Sequence, residues 1–108
     1  MSSRLDLEAM RFAVRRGRIE WQRHALERMA ERGIFRDEVK EVLLRGELIE
    51  EYAEDQPFPS ALFLGRPKGR ALHVVAAFNA ERIMVFIITA YEPELDHFEP
   101  DLRTRRKR

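Results

Sequence analysis

Apolar residues in the first third of the chain recur at helical spacing. Leu5, Ala9, Phe12 and Ala13 predict a helix over residues 4–16, which Gly17 ends. Residues 18–21, "RIEW", read as a short extended entry. A second helix runs from about Gln22 to Arg32 and stops at Gly33, with Leu26, Met29, Ala30 and Gly33 as its buried stripe. In "FRDEVKEVLLRG" a third helix takes Asp37 as its N-cap and Gly46 as its stop, with Val39, Val42 and Leu43 facing the core.

Beyond Gly46 the period changes from 3.6 to 2. Strands are predicted over residues 47–55, 60–65, 70–79 and 82–93, broken by "QPFP", the turn "RPKG" and the hairpin "NAE". The last two strands are apolar on both faces, which makes them central and covered by helices on at least one side. Helices first and an antiparallel meander afterwards define an α+β domain, with N-terminal helices packed on a four-stranded antiparallel sheet. Strict alternation in the last strand puts Ile83, Val85, Ile87, Thr89 and Tyr91 on one face, and Met84, Phe86, Ile88 and Ala90 on the other. His73 shares its face with Val75 and Ala77.

Composition narrows the function classes. The 108 residues suit one domain, and 44% apolar with 36% charged residues supplies a core under a heavily charged surface. With no cysteine, disulfides and thiolate metal sites are excluded. The start, "MSSRLDLEAM", has no apolar run of the signal-peptide kind, and no stretch reaches the roughly 18 residues of a membrane span. A cytoplasmic protein without a membrane partner is expected. The net charge of +1 hides an asymmetry: "DLRTRRKR" carries +4, so the first 100 residues sum to −3. The chain thus divides into one domain, residues 1–100, and a basic tail, 101–108, whose Arg103, Arg105, Arg106 and Lys107 suit either a solvated terminus or an arm for nucleic acid.

One row of side chains stands out. His24, Arg28 and Arg32 are spaced i, i+4 and i+8 along the second helix and stack on one face. His24 falls in the first turn, where a neutral imidazole accepts a proton near neutral pH. Arg28 is placed to hold an anion beside it. The competing reading is ordinary surface electrostatics, with Glu27 and Glu31 as partners. His73, inside the apolar run "ALHVVAAF", is a polar group that needs a partner if buried, and reads as a satisfied core histidine or one at a strand edge. Thr89 and Tyr91 end an apolar strand with two hydroxyls. His24, His73 and His97 have no metal-ligand spacing, and neither a phosphate-binding loop nor a nucleophile elbow is present, so no metal or cofactor is expected.

"IEWQRHALERMAERGIFRDEVKEVLLRGELIEEY", with "PSALFLG", "ALHVVAA", "IITAYEP" and "TRRK", resembles the bacterial family known as domain of unknown function 4258, from about Phe12 to Lys107. That family looks related to the RelE and ParE type toxins and to the wider fold of barnase, EndoU and the tRNA-cutting colicins, in which helices pack on about four antiparallel strands. Gln22 stands where the family often has a capping serine, and Phe98 where a tryptophan is common. The resemblance implies a toxin of a toxin–antitoxin system acting as a metal-independent endoribonuclease. His24 and Arg28 would match the helix part of its site, Thr89 and Tyr91 the strand part, and His73 a second acid–base group. It also implies RNA as substrate and a small zinc-finger protein of the antitoxin type as partner. In such a mechanism the RNA 2′-hydroxyl attacks the adjacent phosphate, with His24 as base or acid, Arg28 as clamp, Tyr91 as donor and Thr89 orienting one of them. Arg32 and the tail would hold the RNA backbone. A non-catalytic module that binds a protein, as ParE relatives bind gyrase, or that binds nucleic acid uncut, is the alternative.

Overall fold

Capping chemistry decides where the helices begin and end. The computed structural model describes residues 5–93 and 101–102. Helix α1, Leu7–Arg15, starts where the Asp6 carboxylate accepts the Ala9 N–H at 3.0 Å. Its Arg11 side chain donates to the carbonyls of Leu43 and Gly46, at 2.9 and 2.6 Å, and so satisfies the end of α3. Strand β1, Ile19–Trp21, leads into helix α2, Arg23–Glu31, and then into helix α3, Arg36–Arg45. The N-cap of α3 is Phe35 and not Asp37. Glu38 reaches back to accept the Phe35 N–H at 2.9 Å, so the helix begins earlier, and Asp37 lies in the first turn, facing the positive end of the dipole.

Strands β2 (Glu47–Tyr52), β3 (Ser60–Gly65), β4 (Leu72–Asn79) and β5 (Met84–Tyr91) follow, with a 3₁₀ turn at Pro67–Gly69 between β3 and β4. The sheet has five strands in the order β1-β5-β4-β3-β2, with β4 at its centre. It is mixed, not four-stranded and antiparallel: β1 runs parallel to β5, with Ile19 opposite Val85 and Trp21 opposite Ile87. Three residues are too few to show a period of two, and their ladder partner lies some sixty residues further along the chain.

The helices pack on one face of the sheet. Met10, Ala13 and Val14 of α1, Ala25 and Met29 of α2, and Val39, Val42 and Leu43 of α3 bury against Phe63, Leu72, Val74, Ala76, Val85, Ile87 and Ala90. Three positions read from the helical stripes, Phe12, Ala30 and Gly33, lie outside this core and are exposed. Phe12 is 48% exposed, with the Arg16 guanidinium 5.8 Å from its ring centre, because α1 turns Met10 and Val14 inward instead. Ala30 of α2 is also exposed, since Ala25 and Met29 define the inward face.

A β-bulge changes the second face. Val75 pairs with Thr89 but Ala76 pairs with Ile87, so Ile88 is an extra residue in β5. Val85, Ile87 and Ala90 therefore point to the helices. Thr89 and Tyr91 do not share a face with Val85 and Ile87, as unbroken alternation predicts. They turn to the opposite side with Phe86 and, from β4, His73.

Candidate functional site

The three residues of the α2 row are all exposed. His24 lies in the first turn. Arg28, one turn on, donates to the Glu31 carboxylate at 3.4 Å, and Arg23 pairs with Glu27 at 3.2 Å. Exposed pairs of this kind contribute little and exchange readily with other anions. Arg32 caps the end of α2 and does something different. Its guanidinium donates to the Ala90 carbonyl at 2.9 Å and reaches the Thr89 hydroxyl at 3.4 Å. Strand β1 pairs with β5 only as far as Ile87, and Arg32 supplies a donor to the β5 backbone beyond that point.

His73 and Tyr91 form the second group. His73 is fully buried, with its ring edge against the Tyr91 ring at 5.4 Å between centroids and 69° between planes. Its Nε2 is 2.7 Å from the Leu102 carbonyl oxygen, an acceptor only, so that nitrogen carries the proton and donates. The structure thus brings Arg32 to Thr89, and His73 to Tyr91. It does not bring His73 to α2, because the helix covers the sheet face from which His73 points away. Arg103, Arg105, Arg106 and Lys107 lie outside the described residues, as do His97 and Phe98.

Other features had no signal in the sequence read alone. Arg70, just before β4, donates to the Gly33 carbonyl at 2.9 Å and to the buried Glu38 carboxylate at 3.2 Å, which ties the α2–α3 turn to the sheet. Two hollows adjoin α2. An apolar groove of about 360 Å³ runs between Leu26, Met29, Ala30, Ile34 and Phe35, and Phe35 is 62% exposed at its lip. A cavity of about 220 Å³ lies between the start of α2 and the other face of the sheet. Among the described residues no three His, Asp or Glu side chains converge as a metal-holding group, and no helix is long and apolar enough to cross a membrane.

These features define a small α+β domain in which a histidine–arginine row on one helix is joined by hydrogen bonds to the outer end of a mixed sheet. The chain belongs to the family described as Domain of unknown function (DUF4258), whose model matches residues 21–92, from the end of β1 through β5. Comparison with curated proteins and with solved structures returns no match.

Proposed function

We propose that this domain is a toxin-like endoribonuclease that cleaves RNA by attack of its own 2′-hydroxyl, with no metal in the chemical step. The observation that carries the reading is the contact of Arg32 with Thr89 and Ala90, which links the His24–Arg28–Arg32 row to the strand end bearing Tyr91. A ring nitrogen of His24 takes the 2′-hydroxyl proton. The 2′-oxygen bonds to phosphorus, and the bond from phosphorus to the 5′-oxygen breaks. Arg28, released from its exposed pair with Glu31, balances the charge on the phosphate. The leaving 5′-oxygen takes its proton from the Tyr91 hydroxyl, which recovers one from water. His73, buried edge-on to Tyr91 and held by the Leu102 carbonyl, acts as a positioning residue. The products are a cyclic phosphate and a 5′-hydroxyl end. RNA is the proposed partner, and the basic tail adds sequence-independent attraction to its backbone.

The test is cleavage of RNA by the purified protein in excess EDTA, beside His24→Ala of equal fold content. We expect cyclic phosphate ends from the parent and a rate loss of about 100-fold or more in the variant. Equal rates would overturn the assignment of His24.

A second reading is favoured by the apolar groove and by exposed Phe35, which suit a protein partner, such as the small zinc-finger antitoxin-type protein that the family resemblance implies. In that reading neither protein cleaves RNA, and Phe35→Ser abolishes partner capture while His24→Ala leaves it intact.

A further inference from the structure

We infer that the 220 Å³ cavity beside the start of α2 is a binding site for a single guanine base, an inference that rests on the RNA reading and gives it a base preference. The cavity is lined by Gln22, Asp55, Gln56, Phe58, Phe86 and Ile88, among others. It is smaller than the roughly 300–1,000 Å³ of sites for whole drug-sized ligands, and suits one ring system. It also lies next to the proposed chemistry. Gln22 is two residues before His24, and Ile88 immediately precedes Thr89.

Its walls are apolar and flat. Phe58 stacks on Phe86 at 5.4 Å between centroids and 7° between planes. Ile88, pushed outward by the bulge, stays 42% exposed at the mouth, a position that a stacked base would cover.

The polar groups on the rim select among bases. The buried Ser60 hydroxyl donates to Asp55 Oδ2 at 2.5 Å, which fixes the carboxylate. Asp55 Oδ1 takes no hydrogen bond from another described residue. Each carboxylate oxygen carries two lone pairs, so Oδ2 as well as Oδ1 can accept from a ligand. Guanine presents two adjacent N–H donors, on N1 and N2, which match a carboxylate and form charge-assisted bonds. Adenine sets an acceptor nitrogen at the first of these positions, and cytosine and uracil offer a donor only beside acceptors. Gln22 is the N-cap of α2 but makes no side-chain capping bond, so its amide N–H is available to the guanine O6. That is a physical role for a residue that is a poor helix cap.

The experiment is titration of the intact protein with guanosine, adenosine, cytidine and uridine 3′-monophosphates, by calorimetry and by amide shift mapping. The guanosine nucleotide should bind at least about tenfold tighter than the other three and shift the amides of Gln22, Asp55 and Ile88. Asp55→Asn, which keeps the size and the acceptor for Ser60, should erase the preference. Gln22→Ala, at an exposed position, should weaken guanosine binding by a smaller factor. Equal binding of all four, shifts confined to other surfaces, or an unchanged preference in Asp55→Asn would overturn the pocket. Binding is read without turnover, so an inactive protein that still selects guanosine supports the pocket while it overturns cleavage. A protein that cleaves RNA with no selective binding overturns only the pocket.

Discussion

Arg32 shows how one side chain joins two parts of the molecule. Its row mates His24 and Arg28 are free to meet a ligand or an exposed glutamate, but Arg32 is committed to the Ala90 carbonyl and the Thr89 hydroxyl. Replacing it by alanine leaves that carbonyl at the strand edge without its protein donor. Arg32→Ala should cost about 1 kcal/mol of stability, read as a lower urea midpoint at unchanged slope. Its effect on RNA cleavage should exceed what the lost stability explains, since the link between helix row and strand end goes with it. His73 teaches a different lesson at the same scale. A histidine in an apolar strand reads from sequence either as a core group or as an acid–base group. Only the placement of Leu102 and Tyr91 around it supplied the partners that make burial tolerable.

At the scale of elements, two devices position the α2 row. One is the Arg70–Glu38 pair, in which a carboxylate only 4% exposed also caps α3 through the Phe35 N–H. Arg70→Ala should destabilise the fold by roughly 2 kcal/mol, because it leaves a buried charge unpaired, discounted for the partial exposure of Arg70. Adding Glu38→Gln should recover part of that loss, since the amide oxygen still accepts the cap hydrogen bond without a charge. A double-mutant cycle in urea reads both numbers, and a double variant no better than Arg70→Ala would sink the argument. The other device is the bulge at Ile88. Deleting Ile88 removes the extra residue, and regular alternation from Ile87 then keeps Thr89 turned away from the helices and Ala90 toward them. We expect a chain that still folds, with a thermal midpoint near the parent's or modestly below it; a product unfolded by circular dichroism would show that the extra residue is itself needed to hold the register.

At the scale of the whole molecule, the end of α3 and strand β3 approach closely at Gly46. A Cβ on Gly46 would lie 2.4 Å from the Val42 carbonyl oxygen and 2.6 Å from that of Leu64, both backbone atoms that cannot swing aside. Gly46→Ala should therefore cost on the order of 1–3 kcal/mol, measured as a thermal shift of the intact protein, although alanine is the better helix former. The sequence alone determined what depends on neighbours along the chain: three helices from the apolar spacing, their glycine stops, most strand positions, the central place of the last two strands, and the alignment of His24, Arg28 and Arg32 on one face. It also marked Gln22 as a weak cap. What only the tertiary structure decided depends on residues far apart in sequence. The parallel pairing of β1 with β5 needs a partner some sixty residues away. The bulge at Ile88 reverses the side on which Thr89 and Tyr91 stand. The separation of His73 from α2 follows from which sheet face the helices cover, and the cavity is built from four separate segments. Local spacing carries periodicity and caps, whereas strand register and sheet face are fixed by long-range hydrogen bonds and shared burial, which no window of neighbouring residues contains.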